Sequence, residues 1–303
     1  MVNFAIIVFC ILTGIIFAKY KLIPYDAYRS INIWILYIAL PAVSFKYIPK
    51  IAWSTDMLLP VLSVFIVWVG GWCFSEIFSV MKGYKQRTRS TIELATGYSN
   101  TSFIGFPLIA AYFGESKLGI AVICDQTTFL LLSTVGIVNA VKGSRGKRTG
   151  LNVRFLLKKF LAFPPLIACL LSLMLTQFVD LKFTEPFFDK LSATLGPLAL
   201  FSIGLQLKFN GWRKQAFQIS TLIFYKLIIS PVLVMSFVLL LGIKGDVAKI
   251  SVFEAAMPTL LSTSIVSEKY GLNTNLLNLT IGISILLSIL TTACWQMFLN
   301  NCL

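Results

Sequence analysis

Ala95-Thr96-Gly97-Tyr98-Ser99-Asn100-Thr101-Ser102-Phe103-Ile104-Gly105-Phe106-Pro107 lies inside an apolar run long enough to cross a bilayer, and it reads as a helix that breaks. Gly97, Gly105 and Pro107 work against a continuous helix, and small hydroxyl and amide side chains stand between them. A second run carries the same kind of interruption half a chain later, at Glu254-Ala255-Ala256-Met257-Pro258-Thr259-Leu260-Leu261-Ser262-Thr263-Ser264. An unpaired backbone group in hydrocarbon is costly, so such breaks persist only where protein buries them or they line a wet cavity. Interruptions at matching positions in two halves of a chain point to a transporter's binding site.

The composition around these breaks is that of a membrane protein. Of 303 residues, 57% are hydrophobic and 13% charged, where a soluble domain carries about 25% charged residues. Apolar runs of spanning length predict ten transmembrane helices. The first five lie near 2–18, 31–48, 57–81, 91–113 and 118–141, the second five near 156–178, 191–207, 215–241, 247–270 and 275–299. The first run lacks the basic start and small-residue cleavage site of a signal peptide and is expected to be a retained span. The net charge of +14 sits in short loops, with no basic domain to grip a duplex, so nucleic acid is not expected as a partner. Six cysteines fall mostly within apolar runs without metal-ligand spacing, and neither metal nor cofactor is expected.

Alternate loops differ in basic charge. One side collects 18 Lys and Arg residues, the other 7, and Lys226 remains within a span. The richer side is expected in the cytoplasm, which leaves both termini outside a cell-membrane protein. Tyr112-Phe113-Gly114 and Lys269-Tyr270-Gly271 close the two broken runs, and Leu40-Pro41-Ala42 matches Gly196-Pro197-Leu198 at nearly the same offset. Five spans per half invert the second half relative to the first, the repeat logic of secondary transporters. The expected organisation is one repeat over 1–141, a basic cytoplasmic linker over 142–154, and a second repeat over 155–303.

Histidine is absent from the chain. Ser-His-Asp and Cys-His nucleophile systems are therefore excluded, as are metal sites that need imidazole. No phosphate-binding G-x-x-x-x-G-K-[ST] loop is present, and no paired carboxylates suggest catalysis in the bilayer, so an enzyme is not expected. A break at Asn100 would expose a half-helix N-terminus whose free N–H groups attract a carboxylate. Asn100, Thr101 and Ser102 supply polar groups there, Gly105 and Pro107 shape the break, and Pro258, Thr259 and Ser262 play the corresponding part on the second run. Asp125 and Lys226 stand within spans, where a charge needs a partner or water. Asp125 with Gln126 is a candidate for proton or cation coupling, and Glu254, one turn before Pro258, is another. Lys226 is open to two readings: neutralising a substrate carboxylate, or pairing with a protein acid.

At these residues the chain resembles the auxin efflux carrier family of membrane transporters, including its bacterial malate and malonate permeases. Asn100-Thr101-Ser102-Phe103-Ile104-Gly105-Phe106-Pro107-Leu108 followed by Tyr112-Phe113-Gly114 is similar to that family's fourth-span motif, and Leu40-Pro41-Ala42-Val43-Ser44-Phe45 to its second-span motif. Leu198-Ala199-Leu200-Phe201-Ser202-Ile203-Gly204-Leu205, Lys226 ahead of Pro231, and Ala256-Met257-Pro258 fit as well. The resemblance implies an all-α polytopic fold of ten helices in two inverted five-helix repeats, with broken fourth and ninth helices crossing at the substrate site. It implies facilitated or ion-coupled movement of a small carboxylate such as malate or malonate by alternating access, with a proton or sodium ion as candidate coupling partner and a homodimer as candidate assembly. The short linker and Met257 depart from the plant members and favour a bacterial-type carboxylate carrier. The rival readings are a membrane sensor or a channel built on the same fold.

Overall fold

Proline has no N–H, and within a helix its ring presses on the carbonyl four residues back. The computed structural model, which describes residues 2–24, 26–51, 53–144, 163–179, 181–207 and 211–303, resolves this conflict the same way three times. A five-residue π-turn precedes each of three prolines: Ile35–Ala39 before Pro41, Thr101–Gly105 before Pro107, and Tyr225–Ile229 before Pro231. Each turn ends two residues ahead of its proline and hands over to a regular helix: Leu40–Tyr47, Phe106–Tyr112 and Ser230–Leu241. Widening the helix by one residue moves the crowded carbonyl out of the ring's way while the chain keeps its course. At Pro231 the freed carbonyl is that of Leu227, and the Trp295 indole Nε1–H donates to it at 2.9 Å.

Among the described residues the protein is helical throughout, apart from loops and one isolated β-bridge. Five helical stretches are long and apolar enough to span a bilayer: Ala27–Lys50, Thr55–Lys82, Glu115–Gly143, Trp212–Leu241 and Thr274–Cys302. Shorter apolar helices include Phe4–Tyr20, Thr101–Tyr112 and Pro164–Leu175. Large apolar side chains such as Phe9, Met81, Leu240 and Leu290 point outward from these helices, an arrangement suited to lipid and not to water. The expected fourth and ninth spans are each broken. Helix Gln86–Thr96 gives way at Gly97 and resumes at Thr101, and helix Asp246–Ala255 stops before Pro258 and resumes as Ser262–Lys269. The expected sixth span is seen from Pro164 onward. Most of the 142–154 linker lies outside the described residues.

The chain divides into two compact units, one of residues 1–54, 102–126 and 161–207, the other of residues 55–101, 127–160 and 208–303. In the first unit, helix Val2–Tyr20 packs along Leu195–Gln206. Their backbones nearly touch, since a Cβ added to Gly14 would sit 2.9 Å from the Gly204 Cα. Small residues at such a crossing let two membrane helices gain dispersion energy where no water drives them together. In the second unit, helix Leu58–Lys82 packs on Gln86–Thr96, Asp246–Ala255 and Ser230–Leu241, and the 29-residue Thr274–Cys302 braces Gln86–Thr96 from elsewhere in the unit.

Trp295→Phe removes the donor to the Leu227 carbonyl and should cost about 1–3 kcal/mol, read as a melting midpoint lower by several degrees in detergent. In a Pro231→Ala background the helix regains its own N–H donor to Leu227, so the Trp295→Phe penalty should shrink to a few tenths of that value. Equal penalties in the two backgrounds would separate the tryptophan from the proline.

Candidate functional site

A helix that stops inside a membrane leaves carbonyls and N–H groups to satisfy. The second unit solves this by joining its two breaks. The Asn100 N–H donates to the Pro258 carbonyl at 2.8 Å, and the Leu260 N–H donates to the Tyr98 carbonyl at 3.1 Å. Ser99 and Thr259 thereby face each other in an antiparallel bridge. The Thr259 hydroxyl donates to the Ala95 carbonyl at 2.8 Å, closing the end of the first half-helix, and the Thr259 N–H donates to the Ser284 hydroxyl at 3.3 Å. The expectation of a free N–H at Asn100 is therefore corrected: the opposing break consumes that donor, because a buried N–H cannot go unmatched.

Close approach makes this junction possible. A Cβ on Gly71 would lie 2.6 Å from the Gly97 Cα, so helix Leu58–Lys82 meets the break backbone to backbone. At this contact the Thr96 hydroxyl reaches the Gly71 carbonyl at 3.3 Å and the Ile92 carbonyl at 2.8 Å. Tyr98 is wholly buried, and its hydroxyl would stand 2.9 Å from a Cβ on Gly136.

With the backbone matched, the side chains become the free chemical resource. Asn100 is 0% exposed, and neither its Nδ2 nor its Oδ1 has a hydrogen-bond partner among the described residues. An amide carries two donors and an acceptor of two lone pairs, and leaving it buried and unmatched costs about 1–3 kcal/mol. Lys226, on the π-turn ahead of Pro231, is also 0% exposed, and its ammonium donates to the Ser99 hydroxyl at 2.7 Å. A coulombic interaction couples it to Glu254. Glu254, Ser99, Thr101, Thr128 and Ser63 share the wall of one small cavity, which opens about 10 Å³ to the centre of a water-sized sphere.

The structure thus brings Asn100, Thr101, Pro258, Thr259, Lys226 and Glu254 into one neighbourhood of the second unit, while Ser262 opens the returning helix. The remaining candidates belong to the first unit. Ser102 is buried with its hydroxyl unmatched among the described residues, and Gly105 ends the π-turn. Asp125 and Gln126 are buried on helix Leu118–Leu131. Pro107 lines a cavity of about 230 Å³ with Lys46, Tyr47, Glu115, Gly196 and Pro197. There the Lys46 ammonium bridges Glu115 at 3.3 Å and Asp189 at 3.0 Å, and the Tyr47 hydroxyl donates to Glu115 at 3.2 Å.

Sequence reasoning assigned no role to Ser99, although it stands beside Asn100 in the broken run, and adjacency was its one available signal. Lys46 carried no signal beyond its loop, because its two acids lie 69 and 143 positions away. A further acid, Glu93 on helix Gln86–Thr96, is buried, whereas Glu76 is partly exposed and paired with Arg89 at 2.9 Å.

Known proteins resemble this chain along its whole length. A protein of Methanocaldococcus jannaschii named "Uncharacterized transporter" is 26% identical, covering 98% of this chain and 97% of its own. A second of that name, from Methanothermobacter thermautotrophicus, is 23% identical with 95% of each chain covered. A Rhizobium meliloti protein named "Putative malonate transporter" is 25% identical over 92% of this chain and 90% of its own. Residues 1–296, both broken spans included, match the model of the membrane transport protein family, and the chain belongs to that family, the auxin efflux carriers.

Proposed function

We propose that this membrane transporter is a secondary carrier of small organic anions, malate, malonate or a related carboxylate, working by alternating access around its two broken segments. The observation that carries the reading is the Asn100 amide, buried beside the junction with both of its polar atoms unmatched among the described residues. A carboxylate accepts hydrogen bonds from an N–H₂ group, and Thr101 and the Pro258 and Thr259 backbone stand at the same junction. The name of the Rhizobium meliloti relative supports a dicarboxylate as the first substrate to try. Ser102, Gly105, Pro107 and Ser262 complete the proposed binding segments. Asp125, Gln126, Lys226 and Glu254 are the proposed coupling or charge-balance groups.

The proposed architecture is ten spans in two inverted five-helix repeats, 1–141 and 155–303, joined by the linker 142–154, with the fourth and ninth spans crossing. Its support is the equivalence of the two breaks: each interrupts a pair of short helices, and the two pair antiparallel through Ser99 and Thr259. In this arrangement both termini face the outside of the cell membrane. The chain acts as a transporter and not as an enzyme, and a homodimer is its proposed assembly.

Proteoliposomes holding the purified protein should accumulate labelled malonate or malate saturably and show counterflow. Asn100→Ala should lower uptake at limiting substrate about 10- to 100-fold, the loss expected for one buried hydrogen-bonding group, and Asn100→Ala with Pro258→Ala should abolish it. Normal uptake by the double variant would remove the junction as the binding site. Flux that neither saturates nor exchanges would favour a channel, and ligand binding without flux a sensor. Separately, a protease-sensitive tag on either terminus should be cleaved in intact cells; protection of both tags would reverse the orientation.

A further inference from the structure

The cavity beside Lys226 has the donor chemistry of a cation site. Its lining includes one acid, Glu254, and four hydroxyl residues, Ser63, Ser99, Thr101 and Thr128, among apolar neighbours. These are oxygen ligands, which suit a hard cation. The open space of about 10 Å³ is close to what one water-sized sphere needs.

A covalently attached cation stands at the edge of this cavity. The Lys226 ammonium lies at zero exposure and donates at 2.7 Å to the hydroxyl of Ser99, a residue that lines the cavity. Like a sodium ion it carries one positive charge at the end of its bonds to oxygen, but it cannot leave. A four-carbon stem reaches in from the Tyr225–Ile229 π-turn. Ser99 is also the residue whose backbone is bridged to Thr259, so whatever holds its hydroxyl braces the junction between the two breaks. A second cation brought to the same oxygens would meet like-charge repulsion at low dielectric.

We propose that the cavity lined by Glu254, Ser99 and Thr101 is a monovalent-cation site whose positive charge this chain supplies from its edge with Lys226, held on Ser99, so that the carrier works without sodium and acquires a sodium requirement when the lysine is removed. The proposal rests on the transport reading above for its consequence in uptake, and on the cavity alone for its consequence in binding.

Two readouts separate the two. The first is the melting midpoint of the full-length protein in detergent, in sodium, lithium or choline chloride. Wild type should melt at one temperature in all three. Lys226→Ala should melt about 3 °C or more higher in sodium or lithium than in choline, as expected for an ion that binds only the folded state. Adding Glu254→Gln should remove that response. If Lys226→Ala does not yield folded protein, Lys226→Gln, which keeps most of the side-chain volume without the charge, is read in its place. The second readout is malonate uptake into proteoliposomes: choline for sodium should change wild-type uptake less than about twofold, and the lysine variant should be stimulated about fivefold or more by sodium. Sodium stabilisation of wild type, sodium dependence of its uptake, or a neutral-lysine variant indifferent to every cation overturns the proposal. A cation-stabilised variant in a protein that takes up no carboxylate would overturn the transport reading and leave the cation site standing.

Discussion

Two hydrogen bonds between opposing breaks, Asn100 N–H to Pro258 C=O and Tyr98 C=O to Leu260 N–H, make the rest of this protein possible. A membrane helix satisfies its backbone internally, and a broken one does not. Here each break is the other's partner, with the Thr259 hydroxyl covering the Ala95 carbonyl as a third contact. Neither interruption is tolerable alone in hydrocarbon. Helix Leu58–Lys82 can approach the first of them this closely only because Gly71 carries no side chain.

This pairing frees the neighbouring side chains from structural duty. Backbone groups that would otherwise recruit Asn100 are already satisfied, so among the described residues its amide stays unmatched although wholly buried. Lys226 is treated oppositely: its ammonium is tied to the Ser99 hydroxyl. One group is left unmatched and the other matched within a single neighbourhood. In the proposed carrier reading, a recognition element beside a fixed charge suits an anion, because the charge need not be reorganised each time the anion arrives.

The broken segments were legible in the sequence because glycine, proline and hydroxyl residues clustered where an unbroken apolar span was expected. Pro41, Pro107 and Pro231 were legible as disturbances, but their common remedy was not, since a π-turn leaves the composition of a span unchanged. Lys226 was recognisable as a charge in need of company, while the identity of that company depended on a fold that brings residue 99 to residue 226. The Lys46 bridge to Glu115 and Asp189 was invisible for the same reason. Charge asymmetry and offset matches gave an organisation of repeats, whereas helix packing groups residues 102–126 with both ends of the first unit's remaining sequence. Helix packing and an expected sequence repeat need not divide a chain at the same points.

The π-turns carry a geometric consequence beyond the relief of proline. Each fits one more residue into a turn than a regular helix does, and a residue occupies about 100° of rotation about the axis. Past Ile229, the stripe of side chains that a regular helix would continue is rotated away, so the two halves of Trp212–Leu241 can address different neighbours. Lys226 sits inside that change of phase, with Ser99 on one hand and the Trp295-held carbonyl of Leu227 on the other. A one-residue deletion there would leave composition and hydropathy almost untouched and turn the second half of the span to face strangers.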